Sequence, residues 1–347
     1  MSAVDRHLVA TAVAPLDEAG VAALFEHLVA HMEEADAAFE RLAPGHVLLR
    51  HGDSSIAMER AGDGLRFRIE AGDERDLQMW REGAVEHVAE EAPAAAAAMR
   101  WSDARAREGT TPGSFREATV ATTHEILPGL LRVELALDAP LGPGGIHLRL
   151  LVPPPGRAPT WPVLGPNGAP DWPVGEDALH ARAYTIRRTA EGGRRVTLDV
   201  VRHAGGRVAR WAEAARPGDV AGLMGPSGGD EAPATDGDLV VAGDMTALPA
   251  MARLLEALPA SVRVRARAAC PSQGDADAYF GAGRVTAVAP EAFDASIVDA
   301  LGAEPAPDSA WFAGEIGTAR ALRRLFRDRW SLGPRRRLAA GYWERTG

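Results

Sequence analysis

The sequence predicts a multidomain chain: a small N-terminal α+β domain, an antiparallel β-barrel, and a C-terminal α/β domain with a parallel sheet. Three observations carry this. The chain has 347 residues, more than one core of ordinary size accommodates. Its charge is stepped: residues 1–105 hold 20 Asp/Glu against 10 Arg, a net −10, whereas the remainder holds 28 of each and is neutral. The hydrophobic pattern also changes twice, from mixed helix and strand spacing, to short strands split by proline and glycine, to strand–helix alternation.

In residues 1–105, apolar residues at Val21, Leu24, Phe25, Leu28 and Met32 have helical spacing from Asp17 to Met32, with Asp17 as the cap. Val47 to Arg50, Ser55 to Glu59 and Leu65 to Glu70 read as strands joined by Gly-Asp turns. Asp73 to Glu91 resumes a helical pattern through Leu77, Trp80, Val85 and Val88. Arg105 to Ser114, with its Thr-Thr-Pro-Gly run, is a linker by composition.

Residues 112–234 are dominated by six short strands: Ala118 to Ile126, Leu130 to Leu137, Ile146 to Val152, Ala183 to Arg188, Val196 to Arg202 and Asp219 to Met224. With one short helix, Val208 to Ala215, they read as a small antiparallel barrel. The proline-dense stretch Pro153 to Pro173 reads as an irregular surface loop. In residues 235–347 the strands Leu239 to Ala242, Val262 to Ala269 and Ser309 to Ala313 alternate with helices Leu248 to Leu258 and Thr318 to Trp330, a parallel α/β pattern.

Composition excludes several chemistries. There is no lysine, so a P-loop lysine and a Schiff-base lysine are ruled out. One cysteine, Cys270, excludes an intramolecular disulfide and a four-cysteine iron–sulfur cluster of the chain's own. No basic footprint points to nucleic acid, no apolar run is long enough for a membrane span, and no signal peptide is expected at the N-terminus.

The run Arg182-Ala183-Tyr184-Thr185-Ile186-Arg187 joins three residue types that suit a flavin dinucleotide. Arginine offers a fork of donors for a pyrophosphate, tyrosine a rigid face for a flavin ring, and threonine a short hydroxyl. Alone, the run also fits a strand with one exposed arginine. A second run, His203-Ala204-Gly205-Gly206-Arg207-Val208-Ala209-Arg210-Trp211, follows a strand and opens a helix, and a helix N-terminus is a ready anion site.

These two runs, with Asp199 to His203, Ala215-Arg216-Pro217-Gly218-Asp219, Ala242 to Ala250, Trp311 to Glu315 and the closing Gly341 to Gly347, resemble the siderophore-interacting protein family. Its members are FAD-dependent ferric-siderophore reductases related to ferredoxin–NADP reductases, and the resemblance spans roughly residues 112–347. Residues 1–103 resemble, more weakly, a small domain of unknown function, through the His31 region, Gly64 to Ile69, Glu86-His87-Val88 and Trp101.

The resemblance implies an enzyme taking electrons from NAD(P)H onto FAD and passing them to a ferric siderophore, so that iron(II) is released in the cytoplasm. By the same resemblance 112–234 is the FAD-binding barrel and 235–347 the NAD(P)H-binding domain. Thr185 and Tyr184 would stand at the reacting ring. Cofactor contacts would come from Arg182, Tyr184, Thr185, Ile186, Val201, His203, Gly206, Val208, Ala209, Gly243, Asp244, Thr246, Ala247, Glu315, Tyr342 and Trp343. Two departures stand out: the glycine loop is about one residue shorter, with Arg207 in place of a proline, and Met245 stands where the family usually has glutamate. Glu315 reads either as facing a ligand or as a plain helix-start acid. A second reading keeps the flavin but serves a ferredoxin or flavodoxin, and a third treats the chain as a non-catalytic siderophore- or partner-binding module.

No resident metal site is expected. Chelated iron(III) needs no protein ligand, only a positive pocket beside the flavin, for which Arg132, Arg149, Arg187, Arg188 and Arg335 to Arg337 are choices that sequence does not rank. His27 and His31 share a helix face at i,i+4, and the sequence shows no third ligand for them.

Overall fold

Alternating burial along the first strands builds a five-stranded antiparallel sheet backed by helices. The computed structural model describes residues 8–34, 37, 39–102, 107–142, 144–203, 205–227, 233 and 235–345; the expected boundary at 105, Ala204, and Thr346-Gly347 of the closing motif lie outside them. The chain divides into two compact units, Met1–Phe115 with Pro153–Leu179, and Arg116–Val152 with His180–Gly347.

In the first unit β1 (Leu8–Ala14), α1 (Glu18–Glu34), β2 (Phe39–Ala43), β3 (His46–His51), β4 (Ser54–Ala61), β5 (Gly64–Ala71), α2 (Glu74–Glu91) and α3 (Pro93–Ala98) follow one another. The sheet order is β1-β5-β4-β3-β2. Leu65, Phe67 and Ile69 of β5 alternate into one core with Leu24, Phe25 and Leu28 of α1 and Leu77, Val85 and Val88 of α2. Both helices are capped as their sequences indicate: Asp17 Oδ1 accepts from the Gly20 amide at 2.8 Å, and Asp73 Oδ1 from the Asp76 amide at 2.9 Å.

The second unit opens with β6 (Phe115–Leu127), β7 (Leu130–Leu137) and β8 (His147–Val152). The chain then rejoins the first unit through Pro153–Leu179. This segment is not only surface loop: it forms a short hairpin, β9 (Val163–Leu164) with β10 (Pro170–Asp171), and buries Leu164. The Gly168 carbonyl accepts from Gln78 Nε2 at 2.8 Å, and the Ala96 carbonyl accepts from Asn167 Nδ2 at 3.3 Å.

Back in the second unit, β11 (His180–Ala190), β12 (Arg195–Val201), α4 (Arg207–Ala214) and β13 (Val220–Ser227) complete a closed barrel of order β11-β12-β7-β6-β13-β8. Leu148, Leu150, Val196, Leu198, Val200 and Leu223 fill it, joined by Val208, Ala209 and Ala212 of α4.

The parallel sheet follows: β14 (Asp238–Gly243), α5 (Leu248–Ala257), β15 (Arg263–Ala269), α6 (Gln273–Phe280), β16 (Thr286–Val288), α7 (Pro290–Gly302), β17 (Ser309–Glu315), α8 (Ile316–Arg324) and β18 (Arg337–Trp343). Its order is β16-β15-β14-β17-β18. The chain therefore reverses its direction of sheet growth at β14, and the switch point opens between the carboxyl ends of β14 and β17. Barrel residues Leu127, Leu130 and Ile146 share a core with Leu248, Met251 and Trp311 of the sheet layer.

A buried polar network crosses the same junction. Arg132 Nε and Nη2 donate to the fully buried Asp199 carboxylate at 2.8 and 2.9 Å, and the Tyr279 hydroxyl donates to it at 2.6 Å. Arg187 donates to Glu256 at 3.1 and 2.6 Å and lies over the Tyr279 ring. Among the described residues no helix is long and apolar enough to cross a membrane.

Candidate functional site

Strand β11 presents Arg182 to solvent, half-buries Tyr184 and buries Thr185. The Tyr184 ring packs against the barrel core, and burial, opposed by the charge of Arg182, pushes its phenol up to about 12. It therefore stays neutral, offering an apolar face with a polar tip.

Arg182 and Arg207 bring positive charge to one place beside His180. Burial first, and then these two charges, hold the His180 imidazole below its ordinary range. Among the described residues neither guanidinium is paired with a carboxylate; Arg182 Nη1 donates to the Ala181 carbonyl at 2.8 Å. Arg207 opens α4, whose cap is Gly206 with no side-chain hydrogen bond. Gly206 itself therefore offers the first-turn amides no side-chain acceptor. Gly205 has a φ of 80°, open to glycine at little cost, and a Cβ at Gly206 would come within 2.7 Å of His203 Nε2. Uncompensated arginines at an uncapped helix start fit a dinucleotide's pyrophosphate on charge and donor chemistry. Val208 and Ala209 bury their side chains, so only their amides serve such a role.

On the other side of β11, Thr185 is paired in register with His147 of β8. His147 Nε2 stands 3.1 Å from the Tyr342 hydroxyl, with the rings edge to face. Burial, aided by the positive charge of Arg253, pushes the His147 imidazole down to about 4, so it is neutral near pH 7. The next residue, Trp343, donates from Nε1 to Asp244 Oδ2 at 2.6 Å. Asp244 Oδ1 accepts from the Thr246 amide at 2.8 Å and its hydroxyl at 2.5 Å, closing the turn that leads into α5. Burial raises the Asp244 carboxyl above its ordinary range despite these donors. A Cβ at Gly314 would come within 2.7 Å of Asp244 Oδ2, and one at Gly243 within 2.7 Å of the Ala247 Cβ. A line of contacts runs from Thr185 through His147, Tyr342 and Trp343 to Asp244 at the switch point.

Several expected residues lie off this line. Ile186 turns into the barrel core, its amide donating to the Ile146 carbonyl and its own carbonyl accepting from Arg253 at 2.9 Å. The Ala247 side chain is buried beneath its loop, and Val201 packs against the core shared by barrel and sheet. Glu315 caps α8, its Oε2 accepting from the Thr318 amide at 2.9 Å. Burial alone would raise its carboxyl; the amides of Gly317 and Thr318 and the contacts with Arg345 outweigh that and hold it low. Arg132 and Arg187 are committed to Asp199 and Glu256. His147 and His180 were not legible as site residues, because each reads as a polar residue at a strand end.

Residues 119–230 match the model of the siderophore-interacting FAD-binding domain, and residues 237–346 that of the siderophore-interacting protein family. The chain is 30% identical to a siderophore utilization protein from T. fusca, covering 67% of this chain and 94% of that one at a TM-score of 0.52. It belongs to the siderophore-interacting protein family. Family membership also relates it to the siderophore-interacting protein SipS from Aeromonas hydrophila, at 26% identity over 67% of this chain and 93% of that one, TM-score 0.54. The ferric vibriobactin reductase ViuB of Vibrio cholerae is 33% identical over 93 residues, 26% of this chain. The chain matches about a third, 34%, of that curated relative's length.

Proposed function

We propose that this protein is a flavin-dependent reductase that moves electrons from NAD(P)H through FAD to iron(III) held by a siderophore, in the cytoplasm, where the nicotinamide pool supplies them. The observation that carries the reading is that Arg182 of β11 and Arg207 at the start of α4 bring charge to one place beside His180 with no carboxylate partner among the described residues, one strand from the contacts leading to the switch point. Residues 112–234 hold the dinucleotide in this reading, and 235–347 bring the nicotinamide to it. When bound, FAD supplies the conversion of a two-electron donor into single electrons for iron.

The chain's own residues bind and orient. Arg182, Arg207 and the first amides of α4 neutralise the pyrophosphate. Tyr184 offers its ring as a stacking face, and Thr185 a hydroxyl at the reacting edge. Neutral His147 keeps the Tyr342 hydroxyl in place without adding charge. Asp244 ties the Thr246 turn to Trp343, fixing the floor of the crevice where the nucleotide lies. The siderophore fills iron's coordination shell, so the protein supplies access and positive charge rather than ligands.

The test is anaerobic titration of the FAD-loaded protein with NADH and with NADPH, followed by a ferric siderophore and an iron(II) trap. The reading expects flavin bleaching by at least one nucleotide and reoxidation with stoichiometric iron(II). Bleaching by reduced ferredoxin alone, or reoxidation by a carrier protein and not by ferric chelates, would replace it with the electron-carrier reading.

A further inference from the structure

Helices α1 and α2 of the first unit bring three imidazoles together. His27 and His31 lie one turn apart on α1, and His87 of α2 faces them, its ring centroid 4.5 Å from that of His31 with the planes tilted by 47°. Glu90 and Glu91 follow His87 on the same helix. The Glu90 carboxylate reaches both helices, with Oε2 3.8 Å from His27 Nε2 and Oε1 3.6 Å from His87 Nδ1. Glu91 Oε2 is 3.8 Å from His27 Nδ1.

His27 Nε2 and His87 Nδ1 are both shielded from solvent and have no hydrogen-bond partner among the described residues. Leaving one buried polar atom unsatisfied costs about 1–3 kcal/mol, and two such nitrogens around one carboxylate ask for a common cause. Separations of 3.6 and 3.8 Å are too long for hydrogen bonds. They are close to the roughly 3.3 Å edge of a tetrahedron whose metal–ligand bonds are about 2.0–2.1 Å.

We propose that α1 and α2 bind one divalent transition-metal ion of the zinc class through His27, His87 and Glu90, with His31 or Glu91 completing the shell. Imidazole with carboxylate selects zinc, nickel, copper or iron(II) over magnesium and calcium. Among the described residues no group of three His, Cys, Asp or Glu side chains is placed to hold a metal ion as it stands, so the proposed site requires these side chains to rotate toward the ion. The exposed His31, Glu90 and Glu91 are placed to make it. This site stands in the first unit and does not rest on the flavin reading.

The test uses tag-free, full-length protein stripped with a chelator and titrated with Co2+, then Zn2+. One Co2+ per chain should bind with the visible absorption of a tetrahedral ion, Zn2+ should displace it, and Zn2+ should raise the Tm by mass action. His27→Gln and His87→Gln should each weaken Co2+ binding by more than about tenfold, with the metal-free melt unchanged; His51→Gln should leave binding as in the parent. Absence of the Co2+ band in the parent overturns the site and leaves His27 and His87 as ion-pair partners of Glu90. Parent-like binding in the double variant overturns it too. Should the substitutions unfold the unit, paramagnetic broadening of the His27, His31 and His87 imidazole signals in the parent decides, and sharp signals at one equivalent of Co2+ overturn it.

Discussion

The Tyr342 hydroxyl and His147 Nε2, 3.1 Å apart, join the last strand of the parallel sheet to a barrel strand directly beside Thr185. The pair is built for a neutral imidazole, because burial and Arg253 push His147 down to about 4 from its ordinary 6.5. The unfolded chain takes up this proton near pH 6.5 and the folded one only near 4. The unfolded state therefore binds more protons across that window, so stability is fully present above it and falls as pH drops through it. His147→Asn should flatten this dependence while the variant keeps a hydrogen-bonding partner for Tyr342. Urea unfolding midpoints measured across the window check it, and an unchanged slope would take His147 out of the account.

Arg182→Ala should weaken FAD binding. A charge-assisted contact to phosphate is typically worth ~1.5–3 kcal/mol, or roughly ten- to a hundred-fold in affinity. Arg207→Ala should act in the same direction, since its charge reaches the same place beside His180. Fluorescence titration of the flavin-free protein with FAD measures both. Parent-like affinity in the two single variants and their combination removes the pyrophosphate assignment.

Asp199→Ala should cost about 3–5 kcal/mol, the range for breaking a buried charge pair on one side. It strips Arg132 of a bidentate partner and leaves the Tyr279 hydroxyl without its acceptor. A melt of the metal-free, flavin-free protein reads the loss, and a change below about 1 kcal/mol shows that water replaces the carboxylate.

The segment Pro153–Leu179 groups with residues before 115 in one compact unit. Gly168 holds a φ of 75°, and a Cβ there would come within 2.8 Å of Trp101 Cδ1. Gly168→Val should therefore destabilise this unit by about 1–3 kcal/mol through strain and overpacking. Hydrogen exchange at α2 amides checks it; unchanged protection there would show that the segment only rests on the helices.

The strands of the barrel and β14, β15 and β17 of the parallel sheet were legible because their apolar patterns and glycine or proline breaks are local signals, whereas the three-residue β16 left no such pattern. β1, β2 and β18 were not, because Leu8 to Ala14, Phe39 to Ala43 and Arg337 to Trp343 lack clean alternation and become strands by pairing with neighbours. Arg182 and Tyr184 could be read from type and spacing. The commitment of Arg132 to Asp199 and of Arg187 to Glu256 could not, since the partners lie 67 and 69 residues away in sequence. Nor could Ile186 and Ala247 be read as buried, because a motif names positions and not the direction a side chain takes.

The crevice at the carboxyl ends of β14 and β17 offers the sharpest functional test. Gly314 passes so close to Asp244 that an added Cβ would stand 2.7 Å from Oδ2, the oxygen that accepts from Trp343 at 2.6 Å. Gly314→Ala must therefore displace the carboxylate, and with it the Thr246 turn and the indole. The barrel residues that hold FAD in our reading are untouched, so flavin content should match the parent. Reduction by NAD(P)H should slow, because a misplacement of about 1 Å can cost about a hundred-fold in a step that depends on near-attack geometry. Stopped-flow bleaching of the loaded variant measures the rate directly. A parent-like rate would place the nucleotide elsewhere, and a loss of FAD would show that the crevice supports the barrel instead of the electron donor.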